Sequence, residues 1–255
     1  MHSSDSHSRP HEWALVTLMG RSLAFTTAAI FFAAFGFPDH FPTVCTGLIA
    51  LGLGRDLERL LDRNRDAIWT VGQSPWIANA RLAGELTVIF SAIFCGALLA
   101  FAFAADELLF REPRAVSEMY KLSFEHLILN NYPVLIVGML LTLIFGAGGI
   151  VLILGWNALH WAQALLFAVT DLSDPNNGGN LYLVAILPHL VVEAVAYVTA
   201  GMAGIFLYRA LQRYSLRSEA FARVSRASAV TLLIGIILLC AAAVLESSVA
   251  KFWVR

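Results

Sequence analysis

Residues 181–208 form an apolar run long enough to cross a bilayer, and its only side chains that titrate near neutrality are His189 and Glu193. A transmembrane helix needs about 20 predominantly apolar residues. An ionisable pair is costly to hold in such a segment, so it faces protein or water and marks a structural or functional site. Similar runs occur at 14–37, 41–54, 83–105, 133–155, 156–172 and 228–250. Hydrophobic residues make up 58% of the chain and charged residues 14%. A soluble domain carries about 25% charged residues, so this chain cannot cover a water-facing surface and its solvent is lipid.

These runs predict an all-α, polytopic transmembrane helical bundle of about seven spans, with five or six as the alternative. The 41–54 run is short and glycine-rich. It reads as a tilted span extended by Leu57, Leu60 and Leu61, or as a re-entrant piece. The stretch 133–169 is too long for one span. A tight helical hairpin turning near Trp156 and Asn157 accounts for it, and one span followed by an interfacial helix is the alternative. The expected division is a disordered polar segment (1–13), an N-terminal membrane hairpin (14–54), a cytoplasmic amphipathic loop (55–82) and a membrane domain (83–255). The polar start is not followed by the short apolar stretch and cleavage site of a secretory signal, so 14–37 is expected to stay as a span. Leu57, Leu60, Leu61 and Ile68 beside interleaved charges make 55–81 read as an amphipathic helix on the inner surface, and apolar residues at helical spacing predict a second interfacial helix over 115–130.

Orientation follows from Lys and Arg in the short loops. Arginines concentrate in 55–81 and in 209–227, whereas 106–131 is net acidic and 171–180 holds Asp171 and Asp174 with no positive charge. The arginine side is therefore expected to be cytoplasmic, with the N-terminus inside and the C-terminus outside a cytoplasmic membrane. Arg21, inside 14–37, would lie near the membrane surface. The formal net charge of -1 gives no reason to expect nucleic acid as a partner.

His189 and Glu193 are four positions apart and share one helix face. Pro188, just before them, suits the first turn of a helix or else interrupts its hydrogen bonding. Glu246 lies in the last run. Counted at about 1.5 Å per residue, Glu193 and Glu246 lie equally far in from the same outer ends, so His189, Glu193 and Glu246 are able to meet. The leading reading is an interhelical polar lock; an ion, proton or solute site and a metal site are the alternatives. A second polar group (Asn157, His160 and Gln163) is expected at the inner end of the 133–172 hairpin, with Asn157 bonding backbone freed at its turn. Cys45, Cys95 and Cys240 stand alone among apolar residues and read as packing residues. No nucleophile elbow, phosphate-binding loop or dinucleotide fingerprint occurs. A non-enzymatic protein with neither cofactor nor resident metal is the expectation.

Three patches together resemble the stage II sporulation protein M family of integral membrane proteins. One is Ile128-Leu129-Asn130-Asn131 and the glycine-bearing run after it. Another is Leu154-Gly155-Trp156-Asn157, similar to the family's Asn-Gly turn with Ala158 in place of glycine. The most specific is Leu187-Pro188-His189 with Glu193, where Leu190 stands for the family's glycine; Leu245-Glu246 matches the glutamate of the last helix. The resemblance spans roughly 81–253, and 14–54 looks like an addition. It implies a multi-pass membrane scaffold or anchor for other membrane or envelope proteins. A channel or transporter component using the His/Glu cluster is the alternative. Small-residue faces on 133–155 and 181–208 are compatible with a homo-oligomer.

Overall fold

The computed structural model describes residues 9–103, 124–171 and 179–253, and among them every long element is a helix. In chain order these are α1 (Arg9–Gly36), α2 (Phe41–Trp69), α3 (Pro75–Phe103), α4 (Phe124–Phe145), α5 (Ala147–Asp171), α6 (Gly179–Arg213) and α7 (Glu219–Trp253), with a single 3-10 turn, Pro38–His40, between α1 and α2. Lipid offers no partner for backbone N–H and C=O groups, so a chain this apolar satisfies them within helices. All but α2 contain segments long and apolar enough to cross a membrane, six in total among the described residues. The protein is therefore a multi-pass membrane protein.

Two clusters of contacts define the ends of the bundle. At one end Tyr208 of α6 packs on Gly146, and Arg209 reaches Glu58 of α2 at 2.7 Å. The α2–α3 turn, the α4–α5 turn and the α6–α7 turn all lie there. At the other end the ring of Phe41, opening α2, meets Phe101 of α3 at 6.0 Å. α5 lies centrally, against α2, α3, α4 and α6, whereas α7 packs on α6 and α4, and α1 on α2 and α3.

The 41–54 run is extended through Leu57, Leu60 and Leu61, and the amphipathic helix expected over 55–81 is not a separate element but the second half of that same helix, Phe41–Trp69. Its apolar face explains this. Cys45, Ile49, Leu53, Leu57, Leu60 and Leu61 are all buried at helical spacing, so the core-facing stripe runs unbroken from the apolar half into the charged half. Its acids pair with arginines of α2 itself and of other helices. Asp56 meets Arg21 of α1 at 3.0 Å, which accommodates Arg21 without placing it at a helix end.

The hairpin expected within 133–172 is present, but its turn is at Gly146, and Trp156 and Asn157 lie inside α5. Gly146 adopts φ +61, a left-handed conformation that ends α4, and its N–H donates to the Thr142 carbonyl at 2.9 Å. Glycine is also required where Gly149 lies on the Leu141 carbonyl and Gly204 on that of Met139. Those contacts bring α4, α5 and α6 to backbone distance. α7 opens on Ser218, whose Oγ accepts the Phe221 N–H at 3.1 Å, with Glu219 in its first turn. The expected disordered start, 1–13, lies mostly outside the described residues, and so does most of the 115–130 interfacial helix. Residues 124–130 open α4.

Candidate functional site

Pro188 lies inside α6, well past its first residue Gly179, so it is not the helix start. It removes one backbone hydrogen bond next to His189. His189 and Glu193 are buried at 3% and 5% exposure, on the face of α6 that meets α7. Glu246 of α7 stands opposite, its Oε2 3.8 Å from His189 Nε2. Both residues sit at the end of the bundle away from the arginines. Gly235 sets the approach of the two helices: a Cβ there would come within 2.7 Å of Thr199 Oγ1.

Glu193 does not turn to His189. Its Oε1 accepts the hydroxyl proton of Tyr197 at 2.8 Å, one helical turn further along. Tyr197 is fully buried and extends the site sideways: its ring lies 6.4 Å from that of Trp161 on α5, and Trp161 meets Phe90 of α3 edge-on at 5.2 Å. The polar pair between α6 and α7 is thus backed by an aromatic row reaching α5 and α3. Tyr197, Trp161 and Phe90 escaped sequence reasoning. Tyr197 was within its reach, four residues after a buried acid on a helix.

His189 Nδ1 is buried with no hydrogen-bond partner among the described residues. His189, Glu193 and Glu246 do not converge as a ligand set, since Glu193 is engaged by Tyr197.

The second polar group does not gather at a hairpin turn. Asn157 is buried in mid-helix, its Nδ2 donating to the Ile153 carbonyl at 2.8 Å. His160 is exposed, stacked on Trp156 at 4.4 Å with Nδ1 2.8 Å from the Trp156 carbonyl oxygen. Asn130 and Asn131 bond each other at 3.1 Å on the exposed side of α4. These four residues serve their own helices.

An apolar cleft of about 350 Å³ lies between α2, α4 and α5, lined by Thr46, Val137, Ile153 and Trp156, and contains no residue of the His/Glu cluster. A smaller cleft of about 190 Å³ lies at the arginine end between α2 and α3.

The family model described as stage II sporulation protein M covers residues 85–251, which takes in α4 to α6, most of α3 and nearly all of α7. No curated protein and no solved structure matches the chain.

Proposed function

We propose that this chain, which belongs to the stage II sporulation protein M family, is a non-enzymatic scaffold that holds other membrane or envelope proteins against its lipid-facing helices. The observation that carries the reading is that the polar groups of the cluster face one another, His189 with Glu246 across two helices and Glu193 with Tyr197 along one. Both contacts lie at the most extensive helix pair of the bundle. Removing a polar group from such a pairing in an apolar interior leaves its partner unsatisfied. The cluster therefore fixes the register of α6 on α7, and the outer faces of α1, α4 and α7 are left for partners. Large apolar side chains such as Phe32, Val137 and Ile237 are exposed there. The arginine end faces the cytoplasm in this reading, as the distribution of positive charge favours.

A second reading, a channel or transporter component, is favoured by one observation: His189 Nδ1 is a buried polar atom left over by the cluster. Glu193→Gln separates the two. In the scaffold reading, the variant recovers fewer partners after crosslinking in native membranes, and purified protein in liposomes conducts no ion or solute under any gradient. Flux in the wild type that disappears in the variant would replace the scaffold reading with the second.

A further inference from the structure

At the arginine end, the cleft between α2 and α3 is lined by Arg63, Asn64, Gln73, Arg81 and Glu85. The stretch 55–85 carries five arginines and five acids, yet their pairing is uneven. Asp56 is taken by Arg21 and Arg59, Glu58 by Arg209, Asp62 by Arg65 and Arg209, and Asp66 by Arg65. Glu85 meets Arg81 at 3.2 Å. Arg63, on the cleft wall, has no ion pair among the described residues. Asn64 Nδ2 donates to Asn79 Oδ1 at 3.1 Å, which ties the two walls together behind it.

The turn from α2 to α3, next in the chain to these lining residues, is apolar and aromatic. Trp69 and Trp76 are 64% and 71% exposed, and Val71 and Ile77 beside them are exposed as well. They flank the turn from α2 to α3. Tryptophan at the end of a membrane helix settles at the level of lipid headgroups. A cationic cleft close to such a turn lies near the phosphate groups of lipids, and basic pockets between helix ends bind acidic headgroups.

We propose that this cleft holds the phosphate of an anionic phospholipid headgroup. Arg63 is the unpaired cation that meets it, Arg81 is the second donor, and Gln73 hydrogen-bonds the headgroup beyond the phosphate. Trp69 and Trp76 anchor the turn at that depth. The site lies mainly on α2 and the start of α3, outside most of the family match, and is independent of the His/Glu cluster.

The test uses the full chain in nanodiscs of phosphatidylcholine with or without phosphatidylglycerol, with lipid retention read by native mass spectrometry. Wild type is expected to retain phosphatidylglycerol over phosphatidylcholine. Arg63→Gln should lower that retention about fivefold, as expected for one surface arginine. Arg55→Gln, an exposed arginine of α2 outside the cleft, should leave it within about twofold, and Gln73→Ala should lower it without altering elution on size exclusion. Equal losses in Arg63→Gln and Arg55→Gln would show general charge attraction and overturn the site. So would displacement of phosphatidylglycerol by millimolar inorganic phosphate, which would make the ligand the free anion.

Discussion

Tyr197 donates its hydroxyl to Glu193 at 2.8 Å, and both side chains are buried where α6 meets its neighbours. The bond spans one turn of a single helix, so on its own it cannot join two helices. Its effect is to satisfy one acid of α6 and leave His189 free to face α7. Tyr197→Phe keeps the ring against Trp161 and removes only the donor. Leaving a buried acceptor unsatisfied costs about 1–3 kcal/mol. The expected outcome is a lower melting temperature in detergent, with most of the loss absent when Glu193→Gln is already in place. Additive losses in the double variant would show that the two residues act separately.

The pairing of His189 with Glu246 predicts a specific crosslink. Cysteines at 189 and 246 should join with a short bifunctional reagent, because the tips of the longer native side chains, His189 Nε2 and Glu246 Oε2, approach to 3.8 Å. Val191 is on the exposed side of α6 and supplies the comparison. A 191–246 pair that crosslinks faster than 189–246 would mean that α6 is rotated from the arrangement described.

Close helix approach makes its own prediction. Gly204 lies on the Met139 carbonyl, whereas Gly148 has open space around its Cβ position. Gly204→Val should destabilise by about 1–3 kcal/mol or displace α4 from α6, the range for overpacking a filled interior. Gly148→Ala should be close to neutral in the same thermal assay. Equal tolerance at both positions would remove the argument that glycine sets the α4–α6 distance.

Much of this architecture was legible because a lipid-solvated helix carries its own signature: an unbroken apolar run. Counting residues inward along 181–208 and 228–250 placed Glu193 and Glu246 at one level, but the side chain that approaches Glu246 is His189, one turn away, while Glu193 turns to Tyr197. Local patterns misled where distant partners decide the outcome. The charged half of α2 reads as a separate surface helix until Arg21 and Arg209, far away in sequence, are seen to engage its acids. Trp156 and Asn157 look like a water-facing turn, yet Asn157 bonds a carbonyl of its own helix and Gly146 supplies the left-handed residue that the turn needs. Glycine clusters inside a membrane run have two uses, turning and close packing. Gly146 serves the first, Gly149 and Gly204 the second, and only the assembled helices tell them apart.

The path of α2 is the feature of topology most open to direct measurement. Its charged second half lowers its apolar character, and it is the one long helix absent from the set able to cross by composition alone. Yet its start meets the far end of α3 at Phe101, and its end lies beside Arg209 at the arginine end, so within the bundle it runs the full distance between the two. The expected outcome is therefore that the Pro38–His40 turn and the α2–α3 turn lie on opposite sides of the membrane. Single cysteines at the exposed positions Asp39, Ser74 and Ser215 report this with a membrane-impermeant maleimide, in a background lacking Cys45, Cys95 and Cys240. In spheroplasts, Asp39→Cys should label from outside, and Ser74→Cys and Ser215→Cys only after permeabilisation, which follows if arginine-rich turns stay inside. Labelling of Asp39→Cys and Ser74→Cys from the same side would mean that α2 folds back without crossing, leaving six spans.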